Sequence, residues 1–140
     1  MTEMTPFHLA FVVDDIEQAE SFYAGVLGCS LGRKHKRWID FNLRGHQITA
    51  HLADSKGVEA SNPVDGDQVP VPHFGLILPW DEWEEMAERI RQSRFSFLIE
   101  PRIRFQDQPG EQGTFFVRDP AGNALEFKSF RDSEKTFARN

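Results

Sequence analysis

Several features that mark large classes of protein are missing from this chain. Its 140 residues include one cysteine, Cys29, so no intrachain disulfide and no zinc site built from several thiolates can form. No apolar run approaches the roughly 20 residues of a membrane span. There is no basic run and the net charge is −6, which argues against nucleic acid and membranes as partners. The opening MTEMTPFHLAFVVDD lacks a positively charged region, so we expect no signal peptide and a cytoplasmic location.

A predicted hairpin over residues 113–130, with the sequence GTFFVRDPAGNALEFKSF, is the most informative stretch that is present. Two apolar runs flank the turn at 119–123, where proline presets φ and glycine permits a positive φ. Because strand side chains alternate between faces, Glu126 shares a face with Ala124 and Lys128. A carboxylate inside an apolar strand is costly unless it is solvated, paired or bound to a metal. Glu126 is therefore either a residue on the wet face of an antiparallel sheet or a metal ligand.

We interpret the predicted elements as two copies of the order strand, helix, three strands, with two of the later strands identified in the first copy and four short ones in the second. The first copy has strands over 7–13, 38–43 and 47–52 and a helix over 16–27. The second copy has a strand over 71–78, a helix over 82–93, and strands over 95–100, 103–105, 114–117 and 124–127. Asp15 with Gln18, and Asp81 with Glu84, form capping-box patterns before the two helices. We expect one domain, with module one at about 6–53, a linker over 54–70, module two at about 71–130 and a loose tail over 131–140.

The duplication brings ligand-type residues to equivalent places. His8 opens the first strand of copy one and His73 aligns with it in copy two. The neighbour two residues along on the same face is small in both, Ala10 and Gly75, which leaves room for an ion and a substrate. We place His51, in the last strand of copy one, roughly at the position that Glu126 holds in copy two. Imidazole and carboxylate donors suit Fe(II), Mn(II), Zn or Ni(II), and two histidines with one carboxylate leave positions open for substrate.

Plainer interpretations compete with this hypothesis. A single histidine in a strand is usually hydrogen-bonded in the core or solvated, but the paired spacing favours a metal centre of His8, His73 and Glu126. His51 stays open as a fourth ligand, a proton-transfer group or an ordinary sheet residue. We expect solvated or packing positions for the remaining candidates: His35, His46, Tyr23 and Cys29.

These features resemble the vicinal oxygen chelate superfamily, which includes glyoxalase I, extradiol dioxygenases, and fosfomycin and bleomycin resistance proteins. The resemblance rests on two βαβββ copies, a histidine opening each, and the glutamate of DPAGNALEF, and it covers residues 6–130. The opening FHLAFVVDDIEQAESFYAGVLGC is similar to the family's first strand and helix. HQITAHLAD, NPVDGDQVPVPHFG and EPRIRFQDQPGEQGTFF look most like a small group of predicted extradiol-type dioxygenases.

The resemblance implies an α+β fold in which two βαβββ modules form a curled mixed sheet around a metal cleft. It implies His8, His73 and Glu126 as the metal ligands. Glyoxalase I commonly has a fourth ligand, a glutamate, where we place His51. Many members are homodimers and some build the metal site from two chains. We therefore expect a homodimer, and the sequence leaves open whether one chain or two form the site.

The predicted function is that of a mononuclear divalent-metal enzyme acting on a small molecule with neighbouring oxygens. Fe(II), which we favour, would give an extradiol-type dioxygenase; Zn, Ni, Mn or Co are possible, and Ni or Zn would suit a glyoxalase-like lyase or isomerase. His51 is the candidate acid or base. The candidate substrate contacts are Arg104, Gln47, Gln112 and Trp38, although Arg104 could equally be a solvated strand residue. The alternative from another class is a metal-free protein that binds a small molecule, such as an antibiotic.

Overall fold

The computed structural model describes residues 4–54 and 57–139. The chain divides into two compact units, Met1–Gly57 with Asp119–Asn123, and Val58–Arg118 with Ala124–Asn140. Each unit contains a strand, a helix and three further strands that form one four-stranded mixed sheet. The α+β fold of duplicated βαβββ modules is therefore confirmed.

The first unit follows the βαβββ order from its first strand to its fourth. Its elements are β1 (His8–Val13), α1 (Ile16–Glu20) continuing as a π-helical segment (Ser21–Val26), β2 (Ser30–Lys34), β3 (Trp38–Leu43) and β4 (His46–Leu52). The sheet order is β1-β4-β3-β2, with β1 parallel to β4. The predicted cap is confirmed, because the Asp15 carboxylate accepts a hydrogen bond from the backbone N–H of Gln18 at 2.9 Å.

The second unit contains an additional hairpin before its βαβββ arrangement. Its elements are β5 (Ala60–Val64), β6 (Asp67–Val71), β7 (Phe74–Ile77), α2 (Trp80–Gln92), β8 (Phe97–Arg104), β9 (Gln112–Arg118), β10 (Ala124–Phe130) and a 3₁₀ turn (Ser133–Lys135). The main sheet has the order β7-β10-β9-β8, and β5 pairs with β6 alone. The predicted linker over 54–70 contains β5 and most of β6, which the sequence did not predict. The continuous strand predicted over 71–78 is wrong, because β6 ends at Val71 and β7 begins at Phe74.

Helix α2 begins two residues earlier than predicted. Pro79 is the N-cap and makes no side-chain cap, so the expected capping box from Asp81 to Glu84 is wrong. The buried Trp83 explains the early start, because its indole N–H donates to the Phe127 carbonyl at 2.9 Å and fixes the first turn against β10. Within the described residues, no helix is long and apolar enough to cross a membrane.

The core of the first unit lies between its helical segment and one face of its sheet. Tyr23 is fully buried there, as predicted, with its ring 5.3 Å from that of Phe11 and 5.1 Å from that of Phe41. Its hydroxyl donates to Asp119 Oδ2 at 2.8 Å, and the Asn123 amide donates to the Val12 carbonyl at 2.8 Å. The turn at 119–123 is thus held by buried polar contacts.

Candidate metal centre

Two of the predicted ligands meet in the second unit. Nε2 of His73 lies 3.2 Å from Oε1 of Glu126. Glu126 is on β10, and His73 directly precedes β7, the parallel neighbour of β10. Gly75 pairs with Glu126 in that register, and a Cβ at this position would overlap the Glu126 carbonyl oxygen. The absence of a side chain at Gly75 therefore permits the close approach of the two strands.

His73 and Glu126 each make a second polar contact, through the side-chain atom that does not face the other residue. Nδ1 of His73 lies 2.7 Å from the Pro70 carbonyl oxygen, which can only accept, so Nδ1 carries a proton and Nε2 is directed at Glu126. Oε2 of Glu126 accepts a hydrogen bond from the Thr114 hydroxyl. The His73 ring also meets Phe116 edge-on at 5.0 Å. Second partners of this kind fix the ring and carboxylate orientation that a metal site requires.

His73 and Glu126 also shift each other's pKa. The hydrogen bond with Glu126 raises the pKa of His73, and this outweighs the lowering caused by burial. Burial raises the pKa of Glu126, but hydrogen bonds from His73 and Thr114 more than offset it, so that pKa is lowered. The carboxylate is therefore ionised at neutral pH. An imidazole nitrogen and a carboxylate oxygen 3.2 Å apart are donors of the kind that suit a divalent cation, so the chemistry of these two residues fits the predicted metal.

The remaining polar candidates of the first unit lie on one face of its sheet. His8 pairs with Gln47 across β1 and β4, and His51 pairs with Trp38 across β4 and β3. Because cross-strand partners share a face, these four side chains lie on the face opposite the helical core. A cleft of about 550 Å³ opens on this face, lined by residues that include His8, Gln47 and Asp40.

The predicted repeat position of His51 is wrong by two residues. Ala10 pairs with Thr49 in the first unit, and Gly75 pairs with Glu126 in the second. Since Ala10 and Gly75 align in the duplication, Thr49 is the counterpart of Glu126 and His51 is one pair further along. The register of the last strands is set by pairing and turn length, which the sequence alignment of the two copies does not contain. His51 is exposed, and its acid or base role stays a prediction.

Other predicted positions differ from expectation in detail. Arg104 is 3% exposed and bonds Asp67 Oδ2 and the Val64 carbonyl, each at 3.0 Å, so the solvated alternative is wrong. Its guanidinium is thus already engaged within the second unit. His46, expected to be solvated, is half-buried and accepts the Phe7 N–H at 2.8 Å. The exposed His35 stacks on Trp38 with ring centroids 5.4 Å apart.

The structure thus brings together His73 and Glu126, whereas His8 belongs to the other compact unit. Gln112, on β9, places its amide nitrogen 3.4 Å from the Gly110 carbonyl. Across residues 4–54 and 57–139, no three side chains of His, Cys, Asp or Glu are placed so that they could hold a metal ion. Sequence reasoning missed Thr114, although strand alternation across the predicted hairpin could have placed it on the face of Glu126.

Comparisons with known proteins agree with this fold. Residues 5–127 match the family model described as the Glyoxalase/Bleomycin resistance protein/Dioxygenase superfamily. A curated relative, the metallothiol transferase FosB of Lysinibacillus sphaericus (strain C3-41), is 27% identical over 127 residues, covering 91% of this chain and 83% of that protein.

Two solved structures extend the comparison. A glyoxalase/bleomycin resistance protein/dioxygenase from Alicyclobacillus acidocaldarius is 30% identical with a TM-score of 0.80, covering 95% of this chain and 96% of that one. The fosfomycin resistance protein FosX from Listeria monocytogenes, in complex with Mn(II) and sulfate, is 17% identical with a TM-score of 0.70, covering 96% and 95%. The second likeness concerns the fold alone.

Proposed function

The chain belongs to the glyoxalase/bleomycin resistance protein/dioxygenase superfamily, and on this basis we propose that it is a mononuclear divalent-metal enzyme acting on a small molecule with neighbouring oxygens. One observation carries the proposal: Nε2 of His73 and Oε1 of Glu126 lie 3.2 Å apart, each side chain held from behind by a second partner. We propose His8 as the third ligand, because it occupies the equivalent place in the duplicated unit.

A divalent cation bound by these residues would act as a Lewis acid toward two adjacent substrate oxygens. The protein's own contribution is to hold the donors. The Thr114 hydroxyl orients the Glu126 carboxylate, and the Pro70 carbonyl accepts from Nδ1 of His73 and so leaves Nε2 directed at that carboxylate. We propose that His51 accepts or donates a proton, and that Gln47 and Trp38, which share its sheet face, contact the substrate.

The reaction class is the finer part of the proposal. We propose Fe(II) as the native metal and extradiol-type dioxygenation as the reaction. Lewis-acid addition or isomerisation is the second candidate, favoured by the similarity to a relative named as a metallothiol transferase. Gln112, on the same sheet face as Glu126, is a further proposed substrate contact, whereas Arg104 is engaged by Asp67 and would need to leave it.

Three assays on reconstituted protein test these candidates. Fe(II)-loaded protein is tested for oxygen uptake with catechols, Ni(II)- or Zn-loaded protein for isomerisation of the methylglyoxal–glutathione hemithioacetal, and Mn(II)-loaded protein for thiol consumption with fosfomycin. We expect one activity that a chelator abolishes and that Glu126→Gln lowers at least about 100-fold. Glu85→Gln, an exposed carboxylate on α2, is the matched control. Metal-independent binding of bleomycin, without any of these activities, would support the metal-free binding protein instead.

A further inference from the structure

Asp40 is a buried carboxylate that the proposed chemistry has not used. It lies on β3 and is 7% exposed. Its Oδ1 accepts a hydrogen bond from the hydroxyl of Thr49, its cross-strand partner on β4, at 2.7 Å. Thr49 in turn pairs with Ala10, so Asp40 lies on the same sheet face as His8.

One oxygen of Asp40 is hydrogen-bonded among the described residues, and the other has only a loose ionic partner. A carboxylate in a largely buried position is stabilised when both oxygens are satisfied, and Thr49 satisfies one of them. The other oxygen, Oδ2, lies 3.9 Å from Nε of Arg33, beyond hydrogen-bond distance, and the Arg33 side chain is 84% exposed. A neutral pair such as two threonines would join the strands without the cost of a buried charge.

The cleft on this sheet face makes Asp40 accessible to a bound small molecule. Its lining includes Asp40, His8, Gln47 and Arg33, and its volume of about 550 Å³ suits a small molecule. The carboxylate and a proposed metal ligand thus border one space within the first unit. An ionised carboxylate has only acceptor capacity, so it favours a partner that brings a proton.

We propose that Asp40 recognises a hydrogen-bond donor on the substrate, a hydroxyl or a protonated amine beside the oxygens that the cation binds. This inference rests on the function proposed above and narrows its substrate class to hydroxylated or amino-bearing compounds. Thr49 is the positioning residue, because its hydroxyl engages Oδ1 and leaves Oδ2, without a hydrogen bond among the described residues, for the substrate. Ethers and carboxylates, which bring no donor, are disfavoured at this position.

Calorimetric binding to Zn-loaded protein tests the proposal with two pairs of probes that differ only at a third oxygen beside the chelating ones: pyrogallol with 3-methoxycatechol, and glycerate with its 3-O-methyl ether. The measured quantity is the ratio of ether to hydroxyl dissociation constants in each variant. Asp40→Asn keeps the shape and an acceptor for Thr49 but removes the charge, and we expect it to reduce the hydroxyl preference about tenfold. Thr49→Val should reduce it in the same direction. Asp14→Asn, an exposed aspartate, is the charge-matched control and should leave it unchanged.

Zinc content and thermal unfolding, measured on the same samples, separate this inference from the proposed function. Loss of the hydroxyl preference in Asp40→Asn, at full zinc content and unchanged folding, supports the inference. An unchanged preference in that variant overturns it, and so does wild-type protein that binds neither pyrogallol nor glycerate. If wild-type protein holds no zinc, the proposed function fails. The ratio of ether to hydroxyl dissociation constants is then measured in metal-free protein, and an unchanged ratio in Asp40→Asn again overturns the inference.

Discussion

At the scale of single residues, the orientation of Glu126 depends on Thr114. Thr114 is fully buried on β9, and its hydroxyl donates to Oε2 of Glu126. Thr114→Val keeps the shape and removes the donor, which leaves the carboxylate free to turn and raises its pKa. We predict that zinc affinity, measured by competition with a chromogenic chelator, falls about 10- to 100-fold.

Ser129 supplies the control for Thr114. It is a buried hydroxyl on β10 that has no hydrogen-bond partner among the described residues. Ser129→Ala should leave zinc affinity unchanged and unfolding free energy equal or slightly higher, because no hydrogen bond is lost. Equal losses of zinc affinity in the two variants would show that Thr114 acts through general packing.

Tyr23, the one tyrosine in the chain, gives a pH prediction. Burial raises its pKa well above the usual value, and the neighbouring Asp119 carboxylate raises it further. The neutral phenol is favoured in the folded state, so its contribution to stability is complete below about pH 10 and is lost as pH rises toward the folded pKa. Phenolate absorbance should therefore appear only together with loss of the far-ultraviolet circular dichroism signal. A reversible titration of folded protein near pH 10 would contradict this.

At the scale of elements, ion pairs connect the β5–β6 hairpin to β8. Asp67 accepts from Arg102 at 2.8 Å and from the buried Arg104 at 3.0 Å. Asp67→Asn leaves Arg104 buried with a weaker partner, so we predict that urea unfolding gives a free energy about 2–3 kcal/mol lower. Asp65→Asn is the control; this more exposed residue bonds Arg102 at 3.1 Å, lies 3.7 Å from Arg104 without a hydrogen bond, and should cost under about 1 kcal/mol. Equal effects would mean that Arg104 does not depend on Asp67.

The elements that the sequence predicted well are those with an apolar face. Strand β3 was predicted with its observed bounds, and β1 began one residue away, because alternating aromatic and branched side chains mark a half-buried strand. Strands β2, β5 and β6 were missed. β2 and β5 are exposed along their whole length, so pairing alone stabilises them. β5 (ASNPV) and the partly buried β6 (DQVPV) each carry a proline, which argues against a strand in sequence-based reasoning.

In the candidate site, too, residues marked by the pattern of one strand could be predicted, whereas those that depend on strand pairing could not. Equivalent apolar patterns identified His8 and His73, and strand alternation identified the face of Glu126. The second partners, Thr114 and Thr49, depend on which strands pair and in which register. That information comes from the pairing of neighbouring strands and is absent from the periodicity of any one of them.

At the scale of the whole molecule, the expected homodimer and the origin of the metal site stay predictions. They can be tested together by mixing His8→Ala with Glu126→Ala chains after unfolding and refolding. If two chains share the site, random pairing gives hybrid dimers with one intact site, so zinc content should recover to roughly a quarter of the wild-type level. If one chain holds all three ligands, mixing restores none, and light scattering of each variant reports the oligomeric state separately.

The central claim is that His8, His73 and Glu126 hold one divalent cation. Its most direct test is the metal content, by mass spectrometry, of protein purified without chelators. We predict about one divalent ion per chain in the wild type and in His35→Ala, an exposed histidine outside the proposed site, and near-complete loss in His73→Ala, Glu126→Ala and His8→Ala. Full metal content in His73→Ala, or folded wild-type protein that binds no divalent metal when it is supplied, would contradict the account.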